Sequence, residues 1–175
     1  YTQIASAIRG TIREKYWDAT RGLFADTYDH RSFSQHVNSL AILAGIVTGE
    51  EATRVMERTL NDSSLIQATI YFRYYVHQAL KVAGMGDHLL DNLQIWRDQM
   101  ALGLTTWAEM PEPTRSDCHA WGASPNIEFF RILLGIDSNA PGFKSIRIAP
   151  SLGDLKEVSG TMPHPVGSVT ASYKL

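Results

Sequence analysis

The chain has 175 residues, 44% hydrophobic and 19% charged, a balance that supports a packed core and excludes a disordered chain. A net charge of −2 and a pI near 6.3 give no basic surface for nucleic acid or an anionic membrane, and no apolar run is long enough to cross a bilayer. The single cysteine, Cys118, excludes a disulfide framework and any multi-cysteine metal site.

Ile4, Ala5, Ile8, Ile12 and Tyr16 recur at helical spacing, with Arg9, Arg13, Glu14 and Lys15 on the other faces. They predict a first helix ending near Trp17, followed by a turn over 18–22 and an irregular stretch to His30. Ser34 has the chemistry of an N-cap for a small, apolar helix over 35–47, closed by Gly49. Residues 50–60 read as a charged helix whose first turn carries Glu50 and Glu51, as the helix dipole favours. After the loop signal Asn61-Asp62-Ser63-Ser64, residues 66–83 bring Tyr71, Phe72, Tyr74, Tyr75 and Val76 almost together. A helix apolar nearly all round is expected to be buried. Gly84-Met85-Gly86 stops it, and Asp87 is expected to cap a helix running to about 102. Pro111 and Pro113 then exclude helix, and a further one is expected from Ser116 or Asp117, with Ile127, Phe129, Phe130, Ile132, Leu133 and Leu134 as its apolar content.

Past Gly135 the pattern changes. Lys144-Ser145-Ile146-Arg147-Ile148-Ala149-Pro150 alternates polar and apolar at period two, and Ser168-Val169-Thr170-Ala171-Ser172-Tyr173 does so more loosely. Gly153-Asp154, Gly160 and Pro163-His164-Pro165 punctuate between them. The expected boundary lies near 138, with helices over 1–137 and the start of a β-domain over 138–175. Short links suggest antiparallel helical hairpins, compatible with a layered bundle, a solenoid or part of a toroid. No repeat of fixed period is visible, which disfavours a regular solenoid. Alternation of charged helices (50–60, 87–102) with apolar ones (35–47, 66–83, 116–134) favours an outer and an inner layer. Tyr1 opens directly into a helical pattern and the chain stops within an alternating one, so we expect a segment of a longer polypeptide.

The chemistry concentrates in Gly103-Leu104-Thr105-Thr106-Trp107-Ala108-Glu109 and Ser116-Asp117-Cys118-His119-Ala120-Trp121-Gly122. A carboxylate beside aromatic rings suits a sugar, whose apolar face lies on the rings while polar groups fix its hydroxyls. The same residues also fit a helix–helix connection with a buried tryptophan. Gln35 and His36 open an apolar helix and are further candidates for hydroxyl contacts. Tyr71 and Phe72 open the next apolar helix and are expected to pack in the core, with lining the funnel of a helical toroid as the alternative; Trp17 and Trp96 are assigned to packing. The histidines show no i, i+4 pair with a nearby acid, and no acid cluster argues for calcium, so no metal or other cofactor is expected. Cys118 is expected near a helix start, but His119 is adjacent to it in sequence and points elsewhere, so it is not assigned as a nucleophile.

Those two motifs, with Phe24-Ala25-Asp26, Asp29-His30-Arg31-Ser32-Phe33-Ser34-Gln35-His36-Val37-Asn38 and Pro141-Gly142-Phe143-Lys144-Ser145-Ile146-Arg147-Ile148-Ala149-Pro150, together resemble the C-terminal part of bacterial α-L-rhamnosidases. The resemblance covers nearly the whole chain and rests on the order and spacing of the pieces. It implies a mainly α fold, part of an (α/α)6 barrel of helical hairpins, followed by strands of a small β-sandwich. It implies an inverting glycoside hydrolase that removes terminal α-L-rhamnose. Its general base would be Glu109, matching the glutamate of a Thr-Thr-x-Trp-Glu-like motif, although Ala108 here separates the tryptophan from the acid. His119 would match the sugar-contacting histidine of a Ser-x-x-His pattern, with Trp107, Trp121, Gln35 and His36 as further substrate contacts. The family's general acid sits in an upstream Arg- and Asp-rich motif that this sequence lacks. The resemblance therefore implies a missing N-terminal half of the same polypeptide as partner, and a chain inactive by itself. It also implies a bacterial protein, secreted or periplasmic, with the cytoplasm as alternative. Two other readings stay open. One is a non-catalytic carbohydrate-binding or scaffolding module of the same fold. The other is an (α/α)6 glycosidase for another sugar such as a uronic acid, for which Arg115 is the only close cation.

Overall fold

The computed structural model describes residues 1–175, which form two compact units, Tyr1–Met85 and Gly86–Leu175. The chain is mainly helical, and its antiparallel strand pairs lie mostly after the helices. No helix is long and apolar enough to cross a membrane.

The first unit opens with α1 (Thr2–Tyr16), which buries none of its residues and leaves Ile4 and Ile8 more than half exposed. A two-residue pair of strands follows, β1 (Trp17–Asp18) against β2 (Leu23–Phe24), with Trp17 opposite Phe24. The Asp18 carboxylate closes the turn between them by accepting from the backbone N–H groups of Thr20 and Arg21. Leu23 and Phe24 are buried, and Trp17 meets Phe24 edge-on at 5.0 Å.

Helix α2 (Gln35–Leu43) starts where its sequence predicts: Ser34 Oγ accepts from Val37 N and donates to Asp26. A cap of this kind contributes about 1 kcal/mol. The helix ends four residues earlier than expected, because the chain turns at Ala44–Gly45 and Ile46 N reaches back to Ala41 O. Helix α3 (Gly49–Asn61) matches its expected span. Helix α4 (Ile70–Val82) starts four residues late, since residues around Ile66 are extended: Ile66 N donates to Phe33 O, and Gln35 N donates to Ile66 O. These three helices pack on one another. Helix α4 is not buried all round. Ile70, Val76, His77, Ala79 and Leu80 face the core, while Tyr71 is exposed and Phe72, Tyr74 and Tyr75 are half-buried.

In the second unit the expected helix over 87–102 is broken. Two short 3₁₀ turns, Gly86–His88 and Leu90–Leu93, run into α5 (Gln94–Ala101). Asp87 caps no helix here; its carboxylate accepts from Gly153 N instead. The helix expected from 116 begins only after His119, as a 3₁₀ turn (Ala120–Ala123), then α6 (Pro125–Glu128), then a π-type turn (Phe129–Leu133). Strand β3 (Ile136–Ser138) pairs antiparallel with β4 (Ile146–Ile148). Strands β5 (Glu157–His164) and β6 (Gly167–Lys174) form a hairpin in register from Glu157 opposite Lys174 to His164 opposite Gly167. Gly160, read from the sequence as punctuation, is inside β5. A Cβ there would come 2.6 Å from Leu134 Cδ1, so a side chain at this position requires the end of Leu134 to shift. Leu134, Ile136, Met162 and Ala171 form the core of this part, with Phe130, Phe143, Ile146, Val158, Val169 and Tyr173 packed around them.

Candidate active site

The two chemistry-bearing motifs lie in the second unit, and the backbone joins them. Residues 107–109 run antiparallel to 116–119: His119 N donates to Trp107 O at 2.8 Å, and Glu109 N donates to Ser116 O at 2.9 Å. Thr106 Oγ1 adds a bond to Asp117 O. The segment expected to start a helix is therefore the returning side of a loop. The carbonyls of Ser116 and Asp117 are turned toward Glu109 and Thr106 rather than along a helix axis. Cys118 is exposed and stands in this extended return rather than at a helix N-terminus.

Helix α5 grips both sides of the loop. Gln99 Oε1 accepts from Ala108 N at 3.0 Å, and Trp96 Nε1 donates to Gly122 O at 2.6 Å. Both side chains are 4% exposed. Leu104 N also donates to the carbonyl of Gln99. Gly122 lets the two sides close: a Cβ on it would stand 2.5 Å from the Cβ of Trp107. On the α5 side, Ile95, Gln99, Leu104, Ala108, Met110 and Pro111 line a small, mostly apolar cleft.

This scaffold brings Trp107, Glu109, His119 and Trp121 into one loop pair. Glu109 is only 7% exposed. Both of its carboxylate oxygens are held by Arg115, Oε2 by Nε at 2.8 Å and Oε1 by Nη2. The hydrogen bonds from Arg115, helped by its charge and that of His119, pull the Glu109 carboxyl below the usual glutamate range, against the opposing effect of burial. The His119 ring lies on Trp121 with centroids 4.3 Å apart, and its Nδ1 is buried without a hydrogen-bond partner. Trp107 is half-buried and Trp121 is exposed.

Gln35 and His36 belong to the first unit. Gln35 is 1% exposed, and both ends of its amide are engaged: Nε2 donates to Thr59 O, and Oε1 accepts from Ala68 N. Enclosed in this way it ties α2 to the ends of its neighbours. His36 is half-buried on Phe72 at 4.3 Å, and desolvation lowers its pKa, which favours the neutral ring. No three His, Cys, Asp or Glu side chains converge as metal ligands.

The sequence did not single out Gln99, placed Trp96 among packing residues without its hydrogen bond, and offered Arg115 only as a partner for a substrate carboxylate. For Arg115 the signal was present: an arginine six residues from a glutamate, across two prolines that force the chain to double back.

No protein-family model and no curated protein sequence matches the chain. Solved structures do. A GH78 family rhamnosidase of Bacillus sp. GL1 superposes with a TM-score of 0.80 at 26% identity, over 95% of this chain and 20% of that one. A rhamnosidase from Klebsiella oxytoca, with rhamnose bound, gives a TM-score of 0.62 at 22% identity, over 71% of this chain and 26% of that one. The chain spans a fifth to a quarter of the length of these two proteins. Over nearly all of its length this chain has the fold of a segment of that GH78 family rhamnosidase.

Proposed function

We propose that the chain supplies the general base of an inverting glycoside hydrolase that removes terminal α-L-rhamnose from glycosides or polysaccharides. In this reading residues 1–137 are helical hairpins of an (α/α)6 barrel, and residues 138–175 begin a β-sandwich. Glu109 activates the water that attacks the anomeric carbon. The general acid comes from a part of the polypeptide outside these 175 residues, with roughly 6.5–9.5 Å between the two carboxyls to admit that water. His119 meets a sugar hydroxyl, and Trp107 and Trp121 offer rings to an apolar sugar face; His36, on the first unit, is a separate candidate for a hydroxyl contact. Gln35 contributes by holding the start of α2.

One observation carries the reading. Glu109 is an enclosed carboxylate whose pKa Arg115 lowers, on a loop pair that α5 fixes through its backbone and that also carries two tryptophans and a histidine whose Nδ1 has no partner. A buried acid is neutral unless something holds its charge, and only the ionised form accepts a proton. The test uses the intact parent polypeptide and a chromogenic α-L-rhamnoside. Glu109→Gln, checked for equal folding, is expected to lose about 10²–10⁴ in rate. Unchanged turnover in that variant would reject Glu109 as the base.

A second reading, a carbohydrate-binding module that keeps the fold without the chemistry, draws on one feature: both oxygens of Glu109 are bonded to Arg115. A parent that binds rhamnosides but turns none over would select it. A third reading, a glycosidase for a uronic acid, would have to share Arg115 between Glu109 and the substrate carboxylate.

A further inference from the structure

We propose that Arg115 is a positioning residue for Glu109: its guanidinium fork holds the buried carboxylate charged, and fixed in one orientation that leaves its remaining lone pairs free for water. The inference rests on the reading of Glu109 as base and adds a residue to it.

The geometry is that of a two-point clamp. Nε and Nη2 of Arg115 each meet a different oxygen of Glu109. An ionised carboxylate has about four lone-pair positions, so a bidentate arginine occupies two and leaves about two. The last torsion of a glutamate is broad and nearly two-fold, and one contact would not define it. Two parallel contacts do. The clamp is also one-sided. The Glu109 side chain is 7% exposed and that of Arg115 is 78% exposed. The cation keeps most of its hydration while the anion it serves is enclosed. Without the clamp, burial alone would favour the protonated acid, which accepts nothing from water.

Few other groups can do this work. His119 is the only other charged or titratable side chain with an effect on Glu109, and that effect is the smallest. From α5, the side chains bonded to the loop are Trp96 and Gln99, and neither titrates in this range. Asp98 and Glu112 line the cleft beside Ala108 and carry the wrong sign to hold a carboxylate charged. The turn through Pro111 and Pro113, with Glu109 N bonded to Ser116 O, brings Arg115 back onto a glutamate six residues away.

The experiment compares wild type, Glu109→Gln, Arg115→Gln and Arg115→Lys in the intact parent polypeptide, reading kcat/KM for a chromogenic α-L-rhamnoside against pH. Loss of activity in Glu109→Gln secures the base; its absence rejects that reading and this inference together. With the base secured, Arg115→Gln is expected to move the acid limb to higher pH, so that its deficit grows as pH falls. Arg115→Lys, which keeps the charge but not the fork, is expected to return most of the limb. A profile lowered evenly at all pH values, with its limb unmoved, would assign Arg115 a structural role and overturn the proposal while leaving Glu109 in place. A second reading needs no turnover. The side-chain carboxyl ¹³C signal of Glu109, assigned by its absence in Glu109→Gln, is expected to titrate at higher pH in Arg115→Lys and higher still in Arg115→Gln. An unchanged titration refutes the clamp.

Discussion

Replacing Gln99 by methionine tests whether α5 fixes the loop that carries Glu109. Methionine matches glutamine closely in length and volume, so the cavity contribution is small. The substitution removes one bond, Ala108 N to Gln99 Oε1 at 3.0 Å. Ala108 is 2% exposed, so its N–H is left buried without a partner, which costs about 1–3 kcal/mol. An offset comes from the other half of the amide. Gln99 Nε2 is itself buried without a partner, and losing it recovers on the order of 1 kcal/mol. The net expectation is about 0–2 kcal/mol, centred near 1, equivalent to roughly 5-fold in a local opening equilibrium. Hydrogen–deuterium exchange on the intact polypeptide measures this directly: peptides covering 104–112 should exchange faster by about that factor. Peptides covering β5 and β6 should not change. Because Ala108 precedes Glu109, a displacement of about 1 Å there is expected to lower kcat by up to about 10²-fold. Unaltered exchange over 104–112 would refute the anchoring. Acceleration spread evenly over 86–175 would show that Gln99 supports the whole unit rather than the loop.

Two further outcomes follow from the same geometry. Gly122→Ala places a Cβ within 2.5 Å of the Cβ of Trp107, so the two sides of the loop must part; near-ultraviolet circular dichroism should show altered tryptophan bands, and sugar affinity should fall. The Asp18–His30 pair predicts a pH window for the β1–β2 hairpin. His30 is raised from 6.5, chiefly by its bond to the Lys15 carbonyl, and its contribution is complete below 6.5 and lost as pH rises through the raised value. Asp18 is lowered from 3.8, chiefly by the Arg21 backbone N–H, so its contribution is complete above 3.8 and lost as pH falls through the lowered value. Exchange corrected for its intrinsic pH dependence should show residues 17–31 best protected between 3.8 and 6.5, and His30→Gln should flatten the alkaline side.

Local signals in the sequence located the elements that depend on local chemistry. The Ser34 cap, the acids opening α3 and the apolar periodicity of α1 each act within a turn or two, so they can be read without the rest of the chain. Elements set by distant partners were misread. The late start of α4 follows from Ile66 pairing with Phe33 and Gln35, and the Asp87 carboxylate serves Gly153 rather than a helix. Strand β5 was missed because Gly160 and Pro163 look like breakers. One packs against the end of Leu134 inside the strand, and the other sits next to the hairpin turn. At the site, residue types in Trp107, Glu109, His119 and Trp121 were legible from sugar chemistry. Their mutual arrangement was not, because it is made by backbone bonds from 107–109 to 116–119, and backbone groups are the same in every sequence.

That division of labour explains how the loop can be both fixed and reactive. The bonds that hold it are almost all to main-chain atoms: Gln99 to the Ala108 N–H, Trp96 to the Gly122 carbonyl, and the paired N–H groups of Glu109 and His119. None of them uses the imidazole of His119 or the carboxylate of Glu109. The one bond pair on that carboxylate comes from an exposed, charged side chain, which perturbs its proton affinity more than its position in the chain. Loop anchoring and site chemistry are therefore separable. Gln99→Met should change exchange without moving the acid limb, and Arg115→Gln should move the acid limb without changing exchange over 104–112. If both variants change both readouts alike, the loop and its carboxylate form a single cooperative unit, and the separation argued from their hydrogen bonds is wrong.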